Sequence, residues 1–198
     1  MFQKTFLSIE EKYMGIEIER KFTVKELPKD LDRYPYHVIE QGYLNVHPAV
    51  RVRREDDIYY MTYKGSSMEN EDPSQDGQSR PIGKVEYNMP LDKESYDHLV
   101  LKADGNMIRK KRYLIPLNSD GFDEAFFAGD PDIKKAVEEG KIKIELDIFD
   151  APFEGTILAE VEFPSEEAAR AYKPAKWFFE DVTGDVKYSN SHMSSVKL

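Results

Sequence analysis

Apolar and polar residues alternate with a period of two along most of this chain, the pattern of half-buried β-strands rather than of helices. The segment GIEIERKF, residues 15–22, is the sharpest case: Ile16, Ile18, Arg20 and Phe22 share one face, and Glu17, Glu19 and Lys21 the other. The same reading predicts strands over residues 15–24, 39–46, 50–54, 58–64, 83–89, 107–115, 142–149 and 157–163, eight in all, each with β-branched or aromatic residues. Helices are predicted only in connections, over residues 92–102, 130–140 and 165–173, the last opened by Ser165 with Glu166 and Glu167 in its first turn. The helix over 130–140 has Asp130 as N-cap, Pro131 at its first position, Gly140 as its stop, and Ile133 with Val137 on one face for docking. The polar segment 65–82 reads as a long loop. Residues 1–14 read as an N-terminal extension, 15–192 as a single domain, and 193–198 as a C-terminal tail.

Composition narrows the functional classes. The chain has 198 residues, enough for one sizeable core, with 40% hydrophobic and 33% charged residues. Cysteine is absent, which excludes disulfides and thiolate metal sites. A formal net charge of −10 argues against wholesale wrapping by nucleic acid. No run approaches the roughly 20 apolar residues of a membrane helix, so a soluble cytoplasmic protein is expected. His37, His47, His98 and His192 lack ligand spacing, and GQSRPIGK at 77–84 fails as a phosphate-binding loop because Val85 stands where a Ser or Thr should be. Trp177, Phe178 and Phe179 read as packing anchors.

The charges are more informative than their sum. Applying the period-two rule to each strand gathers Glu17, Glu19 and Lys21; Arg51 and Arg53; Thr62 and Lys64; Lys84 and Glu86; Lys110 and Arg112; Glu145 and Asp147; and Glu160 and Glu162, each set on one strand face. A sheet with one solvated face explains any one of these sets. The whole series also fits a barrel whose charged face is the lumen, with basic strands on one side and acidic strands on the other. Lysine and arginine would bind a polyanion there, and clustered carboxylates would hold hard divalent cations. That combination suits phosphoryl transfer.

EIERK, residues 17–21, fits the E-x-E-x-K signature of the CYTH family, or triphosphate tunnel metalloenzymes. QGYL 41–44, RVR 51–53, MTYKG 61–65, VEYNMPL 85–91, RKKRY 109–113, IELDIF 144–149, LAEVEF 158–163 and EDVTGDVKYSN 180–190 follow in the family's order. The chain therefore resembles the short bacterial triphosphatases over about residues 15–192. The resemblance implies a mainly β, α+β fold: an eight-stranded antiparallel closed barrel, or tunnel, with a charged lumen and a few covering helices. By position, Lys21, Arg51, Arg53, Lys64, Arg112 and Lys187 would bind substrate phosphates. Glu17, Glu19, Glu86, Glu145, Asp147, Glu160 and Glu162 would form the acidic side, with Glu17, Glu19, Glu160 and Glu162 foremost as metal ligands. Lys110 falls where related enzymes place a lysine that assists the attacking water.

The implied activity is metal-dependent hydrolysis of a small-molecule triphosphate, foremost inorganic tripolyphosphate, with two Mg²⁺ or Mn²⁺ ions and no nucleic-acid or membrane partner. Thiamine or nucleoside triphosphate hydrolysis, cyclisation of ATP, and polyphosphate binding without turnover are the alternatives, and a homodimer is left open. The family's D-K-R-Y motif reads Asp185-Val186-Lys187-Tyr188 here, so Lys187 replaces a forked guanidinium by a point charge. The longer segment 119–140 is expected to decorate the surface, with its helix covering one tunnel mouth as the alternative.

Overall fold

A computed structural model describes residues 14–65 and 84–198. Residues 1–13 of the expected extension and nearly all of the expected polar loop lie outside these. Among the described residues there are nine strands: β1 (Met14–Val24), β2 (Tyr36–Val46), β3 (Ala49–Glu55), β4 (Ile58–Gly65), β5 (Lys84–Leu91), β6 (Asp104–Pro116), β7 (Lys143–Phe149), β8 (Ile157–Phe163) and β9 (Phe178–Asp181). The helices are α1 (Lys93–Val100), α2 (Glu124–Gly129), α3 (Pro131–Glu138), α4 (Glu166–Ala171) and α5 (Asn190–Ser195). The fold is thus mainly β with a few connecting helices, as expected. The sheet among the described residues has nine strands and not the closed eight-stranded form expected; the added strand, β9, is the segment FFED, too short to show an alternation.

Hydrogen bonds join the strands in the order β5, β4, β3, β2, β6, β7, β8, β1, β9, and β1 also pairs with β5. Strand β1 is shared along its length: Met14–Glu17 pair with β5, Ile18–Thr23 with β8, and Phe22 and Val24 with β9, all antiparallel. Two compact units result, one from residues 14–17, 40–65, 84–108 and 189–198, the other from residues 18–39 and 109–188.

The second unit holds an aromatic-rich core. Ile144, Leu146, Val161 and Phe163, the apolar alternates of β7 and β8, are buried against Phe22, Phe122, Tyr172 and Phe178. Burying each such side chain contributes about 1.5–3 kcal/mol. Phe178 stacks on Phe22 with centroids 4.6 Å apart, and Trp177 meets Phe178 edge-on, so both are the anchors foreseen; Phe179 is exposed. The helix caps follow the sequence signals: Asp130 accepts from the Ile133 amide and Ser165 from the Ala168 amide.

The segment 119–140 is not a decoration. Phe122 and Ile133 are core residues, and Phe122 contacts Phe126, Phe127, Phe163 and Tyr172. An aromatic that follows Gly121 and precedes a short helix leaves no periodic trace.

In the first unit, α1 places Tyr96 against Tyr59, with its hydroxyl on Glu40 at 3.1 Å. The end of α5 is held by Asn106, whose amide donates to the carbonyls of Met193 and Val196 at 3.2 and 2.7 Å. Gly105 has φ +71° and backs directly onto the Ser194 carbonyl, a position no β-carbon could share.

Candidate functional site

The face of β6, β7, β8 and β1 opposite the aromatic core carries the second unit's charges. Alternation on β6 turns Lys110 and Arg112 to that face while exposed Lys111 sits over the Tyr36 ring. This settles which of the adjacent lysines points in. Lys110 and Asp147 are both 0% exposed, with Lys110 Nζ donating to Asp147 Oδ2 at 2.5 Å. Withdrawing two ions from water costs several kcal/mol each, and a hydrophobic pair would fill the space without that cost. Such an expense marks a functional site more readily than a structural one.

Arg112 is the hub. It donates through Nε to Asp147 Oδ1 at 2.7 Å, through Nη2 to Asp147 Oδ2 and Glu160 Oε2 at 2.6 Å each, and through Nη1 to Glu145. Lys21 Nζ sits 2.8 Å from Glu160 and 3.9 Å from Glu19. Strand register explains these partnerships: Arg112 lies opposite Asp147, and Lys21 opposite Glu160. In this unit the basic strand β6 borders the adjacent acidic strands β7 and β8, and β1 mixes Glu19 with Lys21. Acid and base face each other across the ladder, because register sets the neighbours and composition along a strand does not.

Two register pairs join like charges. Glu145 lies opposite Glu160, and Glu19 opposite Glu162. Directly opposed like charges destabilise a sheet unless a cation stands between them. Arg112 fills that position for Glu145 and Glu160.

The titration behaviour follows from this arrangement. Burial opposes the Glu160 charge, but Lys21 and Arg112 outweigh it and hold this carboxyl well below its ordinary range. Burial likewise opposes the charges of Lys21 and Arg112, and the surrounding carboxylates raise both above their usual values. Glu145 goes the other way: burial, aided by Glu160 and Asp147, raises its pKa against the pull of Arg112.

The first unit carries its own charged set. Arg51 Nη2 and Lys64 Nζ stand 3.7 and 3.8 Å from Glu86 Oε2. Arg53 is buried, with Nε on the Gln41 carbonyl oxygen at 2.9 Å and Nη1 on the Tyr60 hydroxyl at 3.0 Å; that hydroxyl in turn donates to Glu55 at 2.8 Å. Asn88 accepts from the Thr62 hydroxyl at 2.6 Å and donates to Glu86 at 2.8 Å. Of Glu17 only the strand register is described, opposite Lys84.

The structure thus gathers Lys21, Glu19, Lys110, Arg112, Glu145, Asp147 and Glu160 in one unit, and Arg51, Lys64 and Glu86 in the other. Glu162 is exposed on β8. Lys187 is exposed on a 3₁₀ turn, Val186–Tyr188, above the ring of Tyr188, and among the described side chains no ion pair joins it to a predicted carboxylate. Among the described residues no three Asp, Glu or His side chains are grouped as a ready cation site, since the carboxylates of the second unit are drawn onto Arg112, Lys21 and Lys110. Sequence reasoning missed Gln41, Glu55, Tyr60 and Asn88. Of these, Tyr60 and Asn88 share the periodic face of Thr62, Lys64 and Glu86, and a neutral polar residue on that face was the available signal.

Comparison with known proteins decides the lineage. The chain is 32% identical over 182 residues to the inorganic triphosphatase of Nitrosomonas europaea, covering 90% of this chain and 96% of that protein. It is 31% identical over 187 residues to the inorganic triphosphatase of Acetivibrio thermocellus, covering 91% and 94%. The chain belongs to the CYTH-type inorganic triphosphatase family. The crystal structure of the inorganic triphosphatase NE1496 superposes with a TM-score of 0.58 at 26% identity, over 93% of this chain and 98% of that one. No family model matches the chain.

Proposed function

We propose that this CYTH-family protein hydrolyses inorganic tripolyphosphate in a divalent-metal-dependent reaction, within a single domain spanning residues 15–192. The observation that carries the reading is the buried charged face of the second unit, where Lys110, Arg112 and Lys21 are held among Glu145, Asp147 and Glu160. The relatives' activity supports it.

The donor chemistry fits Mg²⁺ or Mn²⁺, which prefer hard carboxylate oxygens. In the second unit Glu19 and Glu162, opposed like charges on β1 and β8, would hold one ion, and Glu160, Glu145 and Asp147 are the carboxylates available to a second; Glu17 and Glu86 are the candidate ligands of the first unit. Bound metal would neutralise phosphate charge and lower the pKa of water. The chain's own residues do the rest. The phosphate-binding groups are Lys21 and Arg112 in the second unit and Arg51, Lys64 and Arg53 in the first, Arg53 being held by Gln41 and Tyr60. Lys110, pinned by Asp147 over the Phe149 ring at 5.1 Å, orients the attacking water and stabilises the charge that develops on the terminal phosphoryl group.

The test is phosphate release from tripolyphosphate, pyrophosphate, ATP and thiamine triphosphate with Mg²⁺ or Mn²⁺, with cyclic AMP measured in parallel and Glu19→Ala as control. Tripolyphosphate turnover that vanishes with EDTA and with Glu19→Ala is expected. Cyclic AMP formation, or equal activity of wild type and variant, would overturn the assignment.

A further inference from the structure

The face of β1 that carries Ile18 and Phe22 also carries Arg20, a cation that phosphate binding does not use. Its guanidinium is committed in three directions: Nη1 donates to the carbonyls of Ala169 and Tyr172 at 3.1 and 2.9 Å, and Nη2 pairs with Asp181 Oδ2 at 2.5 Å. It also lies over the rings of Phe22 and Tyr172, 5.0 and 6.0 Å from their centroids. Ala169 belongs to α4 and Tyr172 follows it directly, so Arg20 ties β1 to the covering helix and, through Asp181, to the end of β9.

Asp181 passes that constraint on. Its Oδ1 accepts from the amide of Thr183 at 3.0 Å and from the Thr183 hydroxyl at 2.5 Å. The same hydroxyl oxygen accepts from the backbone amide of Lys21 at 3.0 Å, and the Lys21 carbonyl accepts from the Val182 amide at 2.9 Å. The β1–β9 register shifts between Phe22 and Val24, so the strand ladder is irregular beside this point, and a side-chain hydroxyl takes one of its places. The chain then turns through Asp185, which accepts from the Lys187 amide at 3.0 Å, and returns to Lys21, whose Nζ meets the Tyr188 carbonyl at 3.4 Å. Lys21 therefore touches the 182–188 turn twice, at its main chain and at its ammonium.

We propose that Arg20, Asp181 and Thr183 form a positioning clamp: from the side of β1 facing away from the phosphates, they fix Lys21 and the turn that bears Lys187 in the geometry that binds the triphosphate. The clamp rests on the triphosphatase reading for its consequence, though not for its existence. The alternation of β1 makes it possible, because Arg20 and Lys21 are neighbours whose side chains point to opposite faces. Arginine is required at position 20, since a lysine ammonium cannot reach two carbonyls and a carboxylate in the plane of a fork. Threonine is required only for its hydroxyl, which donates to Asp181 while accepting from Lys21.

Two readouts test the clamp. Amide hydrogen exchange in the substrate-free protein should show Lys21 and Tyr188 losing protection by about tenfold in Thr183→Ala and keeping it in Thr183→Ser. Steady-state kinetics with tripolyphosphate should show KM rising by about fivefold in Thr183→Ala, the worth of one net hydrogen bond, with kcat nearly unchanged and with Thr183→Ser close to wild type. Arg20→Lys should follow Thr183→Ala. Phe178→Leu, which loosens the core stack on Phe22 beneath the same strand, should lower thermal stability and leave KM in place. Unchanged Lys21 exchange in Thr183→Ala, failure of Thr183→Ser to restore it, or a KM effect matched by Phe178→Leu would overturn the clamp. Absence of triphosphatase activity in the wild type would overturn the functional reading, and the exchange measurement would still decide the clamp.

Discussion

Replacing Arg112 by Met removes the cation that, alone among the described residues, touches Glu145, Asp147 and Glu160 together. The consequences can be worked residue by residue. Glu160 keeps Lys21 at 2.8 Å and Asp147 keeps Lys110 at 2.5 Å, so neither is stranded. Glu145 loses Arg112 and still lies opposite Glu160 in the β7–β8 register. Removing one partner of a buried ion pair costs about 3–5 kcal/mol, and the two surviving lysines place this case near the lower figure, about 3 kcal/mol. For a chain of this size that is a fall in Tm of about 6–12 °C. Thermal unfolding in EDTA measures it. Millimolar Mn²⁺ should then recover more than half of the loss in Arg112→Met, because a divalent cation among the same carboxylates restores the missing charge, whereas wild type should gain less. Arg112→Lys should lie between, having the charge without the fork. An unchanged Tm in EDTA would refute the hub, and a loss that Mn²⁺ leaves untouched would refute the carboxylates as metal ligands.

Other outcomes follow from the same geometry. Because Glu160 titrates well below an ordinary glutamate in the folded protein, its contribution to stability is complete above the unfolded pKa of about 4.3 and is lost as pH falls through the folded value. The metal-free protein should therefore lose Tm on acidification below about pH 5, and Glu160→Gln should flatten that slope in a pH series of thermal melts. Glu145 is shifted upward, so its charge works against the fold at neutral pH, and Glu145→Gln in EDTA should leave Tm unchanged or raise it while Glu160→Gln lowers it. Lys110→Met should reduce kcat for tripolyphosphate by about a hundredfold, in the range of a lost charge-stabilising group, with KM altered far less. Gly105→Ala should cost about 2 kcal/mol in denaturant unfolding, since φ +71° and the Ser194 carbonyl both oppose a β-carbon.

What could be read from the sequence was whatever a strand writes locally. Alternation located all eight long strands and correctly assigned Lys110 and Arg112, rather than Lys111, to one face, because each side chain's direction depends only on its own position in the pleat. Caps at Asp130 and Ser165 were legible for the same reason: donor and acceptor lie three residues apart. Contacts between strands are another matter. Nothing local tells Arg112 that Asp147, 35 residues later, will lie opposite it, so the period-two rule could sort charges by strand but not pair them across the ladder. The clamp is the extreme case, with Arg20 and Asp181 separated by 161 positions and joined through a residue, Thr183, that carries no charge to draw notice. The two kinds of information differ in what they cost to change. A substitution that breaks the alternation of β1 turns Lys21 away from its face and abolishes the site, whereas one that breaks the clamp leaves Lys21 on the correct face and alters only how firmly it is held. Periodicity thus decides whether Lys21 stands on the charged face, and long-range hydrogen bonding decides how firmly it is held there, which is why the first can be read from a sequence and the second needs coordinates.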